Sequence, residues 1–125
     1  MYDRSLLIEV LTQIQQACRV VLKRFEPVRL VEDFTGSPAG MEKLDAICMQ
    51  LIAIGESLKK VDTIAEGGLL SGYTAIDWKK AKGMRDILSH HYFDLNAEAI
   101  FDVCENKIPV MERTIQQILK DLEKL

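Results

Sequence analysis

The sequence predicts an all-α fold, an up-and-down four-helix bundle with a kinked last helix, and three observations carry that reading. Apolar residues make up 48% of the 125 residues and aromatics only 6%, with seven Gly and three Pro, a mix that suits helices better than strands. Apolar side chains recur at three- and four-residue steps in four long segments. The breaks between these segments are short, so neighbouring helices must fold back on one another. The length suits one compact unit, and residues 1–125 are expected to form a single domain.

The first helix is predicted over residues 4–25. Leu7, Val10, Leu11, Ile14, Cys18, Val21, Leu22 and Phe25 form its apolar stripe, and Pro27 ends it. Residues 27–37 connect, with a short helical turn at Glu32, Asp33 and Phe34. Ser37 and Pro38 read as the N-cap and first position of the second helix. That helix is predicted over 38–62, its stripe being Leu44, Ile47, Cys48, Leu51, Ile54, Leu58 and Val61. Gly55 lies inside it, where glycine costs about 1 kcal/mol relative to alanine. A glycine at that place implies the close approach of another helix. Glu56 and Lys60 have the spacing of an ordinary i, i+4 ion pair.

Gly67, Gly68 and Gly72 mark a loop. The third helix is predicted over 75–91, with Thr74 and Asp77 as a capping box and Trp78, Ala81, Met84 and Leu88 as its apolar face. The fourth is predicted over 96–123, capped by Asn96 or Asp94. Its stripe is Ile100, Val103, Cys104, Ile108, Met111, Ile115, Ile118, Leu119 and Leu122. Pro109 should kink it near residues 105–108.

Charges interrupt every apolar stretch, whereas crossing a bilayer takes ~20 residues with few charges. The chain is therefore expected to be cytoplasmic, with no membrane segment and no signal peptide. Its three cysteines, Cys18, Cys48 and Cys104, form no CxxC pair and read as small core residues. The net charge is −3, which excludes binding of nucleic acid by a general basic surplus. A local basic stretch remains, Lys79, Lys80, Lys82 and Arg85. Its lysines form a solvated face by default and are candidate RNA contacts if the chain handles nucleic acid.

The chemistry concentrates in Arg85–Tyr92. The two histidines of the chain, His90 and His91, are adjacent, and Tyr92 follows them. Histidine moves protons near neutral pH, and arginine keeps its charge and forks onto phosphate oxygens. Together they suit phosphodiester cleavage. Asp86 stands one turn before His90 and can orient its ring. His91 points elsewhere and reads as a surface or packing residue. Arg85 and His90 are ~140° apart around an ideal helix. Either the helix loosens there, the arginine reaches round, or a second copy of the chain completes the site. Asp86, His90 and Asp94 form a possible divalent-metal stripe, a weaker reading because the sequence offers no fourth ligand.

These residues resemble the HepT toxins of HepT–MntA modules, in the HEPN superfamily, and the resemblance covers nearly the whole chain. Arg85-x4-His90-x-Tyr92 matches the family's R-x4-H-x-Y motif. Glu32-Asp33-Phe34, Ile54-Gly55-Glu56, Ile76-Asp77-Trp78, Gly83-Met84-Arg85-Asp86 and Pro109 match further elements in order. His91 departs from it, since a small residue is frequent there. The resemblance implies a HEPN-type bundle and a homodimeric, metal-independent endoribonuclease that needs no cofactor. Arg85 and His90 would be the catalytic pair, with Asp86 as the polar residue beside them. It also implies an antitoxin partner, an MntA-like minimal nucleotidyltransferase that adenylylates Tyr92. The rival reading is a HEPN binding module that docks such a nucleotidyltransferase without cleaving RNA, and intact Arg85 and His90 argue against it.

Overall fold

The structure, a computed structural model, describes residues 2–90 and 96–124, with His90 described by its backbone alone. The His90 side chain and His91, Tyr92 and Asp94 thus lie outside the described residues.

The chain is all-helical. Helix α1 spans Arg4–Phe25, the short α2 Glu32–Thr35, α3 Pro38–Ile64, α4 Trp78–His90, α5 Ala97–Asp102 and α6 Ile108–Glu123. A 3-10 turn at Leu70–Gly72 lies in the loop before α4, and a π-helical turn at Val103–Lys107 joins α5 to α6. No strand occurs among the described residues.

Local chemistry accounts for most ends. Asp3 caps α1 by accepting from the Leu6 N–H at 3.0 Å. The Ser37 hydroxyl accepts from Gly40 N at 3.0 Å, with Pro38 opening α3 as expected. Asn96 is the cap of α5, accepting from the N–H groups of Glu98 and Ala99.

Two boundaries differ from expectation. Helix α4 opens at Trp78, three residues later than the sequence reading, because Asp77 and not Thr74 is the cap. Its Oδ1 accepts from Lys80 N at 3.1 Å, and an aspartate does this as well as a threonine. Helix α3 runs two residues further, to Ile64.

Pro109 acts one turn upstream of its own position, as its chemistry requires. It has no N–H to give the Glu105 carbonyl, and its ring crowds that carbonyl. The helix widens to relieve this, and Ile108 N–H donates to Val103 O, five residues back.

Three long elements build the core. Helix α1 packs on α3 and on α6, and α3 also packs on α4. The pairings run antiparallel: Arg4 Nε reaches Leu122 O at 3.0 Å, while Arg19 meets Glu112 at 2.9 Å. On the other flank Asp62 pairs with Lys82 and Glu56 with Arg85. Leu11, Ile14, Val21, Ile47, Leu58, Ile115 and Ile118 are fully buried between these helices. Phe25, Phe34 and Phe101 close one end, Phe25 and Phe101 meeting edge to face with centroids 5.0 Å apart.

Cys18, Cys48 and Cys104 are buried in this core as free thiols. Burial above all pushes their pKa values up, to about 12, about 11 and about 12. They remain protonated at neutral pH and offer no nucleophile.

Candidate active site at the crossing of α3 and α4

Helix α4 carries the arginine and is seated on α3. Leu88 is fully buried and Trp78 nearly so. The Trp78 indole N–H donates to Tyr73 O at 2.8 Å, tying the start of α4 to the preceding loop. Met84 and Ala81 turn toward an apolar cleft of about 200 Å³ shared with Ile54, Val103 and Met111.

The helices approach closely at Gly55. A Cβ there would lie 3.2 Å from Ala81 O and 3.3 Å from both Arg85 N and Arg85 Cβ. The glycine thus lets the backbone of α4 rest against α3, as its place in the sequence implied. Arg85 lies directly over it.

That proximity organises four charges. Arg85 Nε lies 3.2 Å from Glu56 Oε2, and Arg85 Nη1 donates to Asp86 Oδ1 at 3.1 Å. Lys59 Nζ stands 3.8 Å from Asp86 Oδ2. The side chains are 39% exposed for Arg85, 50% for Glu56, 56% for Asp86 and 44% for Lys59. At such exposure each pair contributes only about 0–1 kcal/mol to stability. The consequence is geometric: a permanently charged guanidinium is held at two of its nitrogens on the rim of the crossing.

The expected ion pair of Glu56 with Lys60 is replaced. Glu56 reaches across to Arg85, because the approach at Gly55 brings a forked donor within reach. Glu56 and Lys59 were not among the site residues picked from sequence. Gly55 was the available signal, since a glycine at a helix crossing leaves the next residue at its rim.

Of the basic stretch, Lys79 and Lys80 are exposed, whereas Lys82 is paired with Asp62 of α3. Asp86 is placed beside Arg85 and Lys59. Its expected contact to the His90 ring lies outside the described residues, as do Tyr92 and the stripe that would add Asp94. No group of three or more His, Cys, Asp or Glu side chains is arranged to hold a metal ion among the described residues. No helix among them is long and apolar enough to cross a membrane.

Chemically, the crossing presents a fixed cation suited to a phosphate oxygen, five residues before a histidine, the residue type that moves protons near neutral pH.

Comparison with known proteins agrees with this chemistry. Residues 8–118 match the family described as Ribonuclease HepT-like. A candidate RNase of Caldanaerobacter subterraneus subsp. tengcongensis is 29% identical over 110 residues, covering 88% of this chain and 91% of that protein. A candidate RNase of Methanocaldococcus jannaschii is 36% identical over 78 residues, or 62% of this chain and 61% of the relative. A second from that organism is 32% identical over 79 residues, 63% of this chain and 65% of the relative. The chain thus spans under two thirds of these two archaeal relatives. No solved structure matches it.

Proposed function

The chain belongs to the HepT-like ribonuclease family, and from that premise we propose that it is a metal-independent endoribonuclease toxin acting through Arg85 and His90. Residues 1–125 act as one domain. The observation that carries the reading is Arg85, displayed half-exposed and pinned on the helix that ends at His90.

In the reaction, a ribose 2′-hydroxyl attacks the adjacent phosphorus, and the bond from phosphorus to the 5′ oxygen breaks. The attacking oxygen loses its proton to a base, and the leaving oxygen takes one from an acid. His90 serves as one of these groups. Arg85 pairs with the non-bridging oxygens as charge grows there. Asp86 keeps the arginine and histidine side chains in order. Two copies of the chain form the working unit and bring two such segments to one cleft. Lys79, Lys80 and Lys82 flank the cleft as RNA contacts, Lys82 by exchanging Asp62 for a phosphate.

Silencing falls to a partner of the MntA type, a minimal nucleotidyltransferase that transfers AMP to Tyr92. The added phosphodiester brings negative charge and bulk near Arg85, where the RNA phosphate would sit.

The test is cleavage of RNA by the purified chain with excess EDTA. Activity should persist in chelator and fall at least about a hundredfold in Arg85→Ala and in His90→Ala. Full activity in Arg85→Ala overturns the assignment. Loss of activity in EDTA replaces it with a metal-dependent site at Asp86, His90 and Asp94.

A further inference from the structure

We infer that Glu56 is the positioning residue of Arg85, so that α3, and not α4 alone, builds the catalytic site. This inference rests on the assignment of Arg85 to catalysis.

Three features carry it. The first is which nitrogen Glu56 engages. It holds Nε at 3.2 Å, the guanidinium nitrogen nearest the flexible stem. A carboxylate there forms an ion pair at the stem end of the group and anchors it by charge. With Nε beside Glu56 and Nη1 donating to Asp86, the group is held at two of its nitrogens, and the side chain is 39% exposed.

The second is the rigidity of the mount. Glu56 follows Gly55, where the two backbones touch, and its α3 neighbours Ile54 and Leu58 are 3% and 0% exposed. Leu88, on the turn of α4 that follows Arg85, is 1% exposed. Both partners therefore start from mid-helix backbone whose inward-facing neighbours are buried.

The third is the choice of partner. Lys60 stands one turn away on the same helix at the spacing of an ordinary ion pair, yet the carboxylate pairs across the crossing. One turn along α3, Lys59 holds Asp86 in the same way. The second carboxylate beside Arg85 thus has a cation of its own.

Glu56 carries negative charge close to where RNA phosphate must bind. Its removal should therefore ease binding while it loosens the arginine. The two effects have opposite signs, and a merely structural residue would produce neither. In Glu56→Ala, kcat should fall roughly ten- to hundredfold, while KM for RNA is unchanged or lower. Glu56→Gln keeps an acceptor oxygen without the charge and should recover part of kcat. Adding Glu56→Ala to Arg85→Ala should cause no further loss, because the carboxylate acts through the arginine. Lys60→Ala should match the parent chain.

Circular dichroism on each variant separates loss of fold from loss of turnover, and Glu56→Gln serves if Glu56→Ala does not fold. If Arg85→Ala abolishes cleavage while Glu56→Ala and Glu56→Gln keep kcat and KM within twofold, the positioning role is wrong and the catalytic assignment stands. If Glu56→Ala lowers kcat equally in the presence and absence of Arg85, the carboxylate acts on its own and the inference fails. If Arg85→Ala cleaves normally, the assignment beneath both has failed.

Discussion

The seam between α1 and its neighbours and the seam between α3 and α4 are built to different rules. The first is continuous and apolar: α1 meets α3 along one side and α6 along the other, and Leu7, Leu11, Ile14, Cys18 and Val21 are all but fully buried there. Ion pairs such as Arg19 with Glu112 decorate its edge. The second is as extensive, but only Trp78 and Leu88 of the described α4 side chains are buried, and one face of α4 borders an apolar cleft. Charges cluster at its rim, beside the point where Gly55 brings the backbones together. The difference teaches that this bundle keeps its stability in one seam and displays its chemistry at the other. Packing that is dense on all sides would hide a guanidinium that a phosphate has to reach.

Truncation in the core seam should have the largest effect on stability. Ile115 is fully buried, and Ile115→Ala should cost about 2–5 kcal/mol by lost burial and a residual cavity. Denaturant unfolding checks this. RNA cleavage per folded molecule should stay near that of the parent, and a selective loss of turnover would erase the distinction between the seams.

A methyl group at the site seam should come next. Gly55→Ala sets a Cβ against α4 backbone at 3.2–3.3 Å, and the strain should be about 1–3 kcal/mol. Here the effect on function should exceed the effect on stability, since any shift of α4 carries Arg85 away from Glu56. Kinetics and unfolding measured on one preparation compare the two. Equal losses would show that the crossing is only a packing point.

The smallest effect concerns a contact at the edge of the bundle. The Tyr73 hydroxyl donates to Asp121 Oδ2 at 2.6 Å, joining the loop before α4 to α6. Burial, and then the hydrogen bond to Asp121, pushes the Tyr73 phenol up to about 12. The bond to Tyr73, and then that from Gln117, holds Asp121 below its usual value. The phenol therefore binds its proton more tightly in the folded chain. Its contribution is complete below pH 10 and is lost as pH rises from 10 toward about 12. The carboxylate contributes above its ordinary value of 3.8, and that contribution is lost as pH falls below it. Thermal melts of the parent and of Tyr73→Phe across this range should converge at the alkaline end. A parallel offset at every pH would show that the pair does not report on ionisation.

Much of the fold was legible because its determinants are local. The stripes of α1, α3 and α6 follow from the 3.6-residue period, and Ser37, Asn96 and Pro109 act on the backbone within a turn of themselves. Asp77 displaced Thr74 as the cap of α4 because each can accept from the N–H groups two or three residues after itself, and neighbouring sequence does not rank the two starts. Part of the candidate site was legible as well. Arg85, Asp86 and the basic stretch were visible as a segment, and Gly55 announced a contact. Glu56 was assigned to Lys60 on spacing alone, and that failed because spacing knows nothing of a second helix.

The sequence by itself determined where helices form, where they stop and which face of each is apolar, since these depend on bond geometry and on side chains a few positions apart. It also determined which residues carry transferable protons and fixed charge. Only the tertiary structure decided that α4 rests on α3 at Gly55 and that Glu56 turns to Arg85. A surface side chain on a helix has partners of similar energy along its own helix and across to the next. The choice between them falls to a distance of a few ångströms between backbones, set by how the buried faces pack.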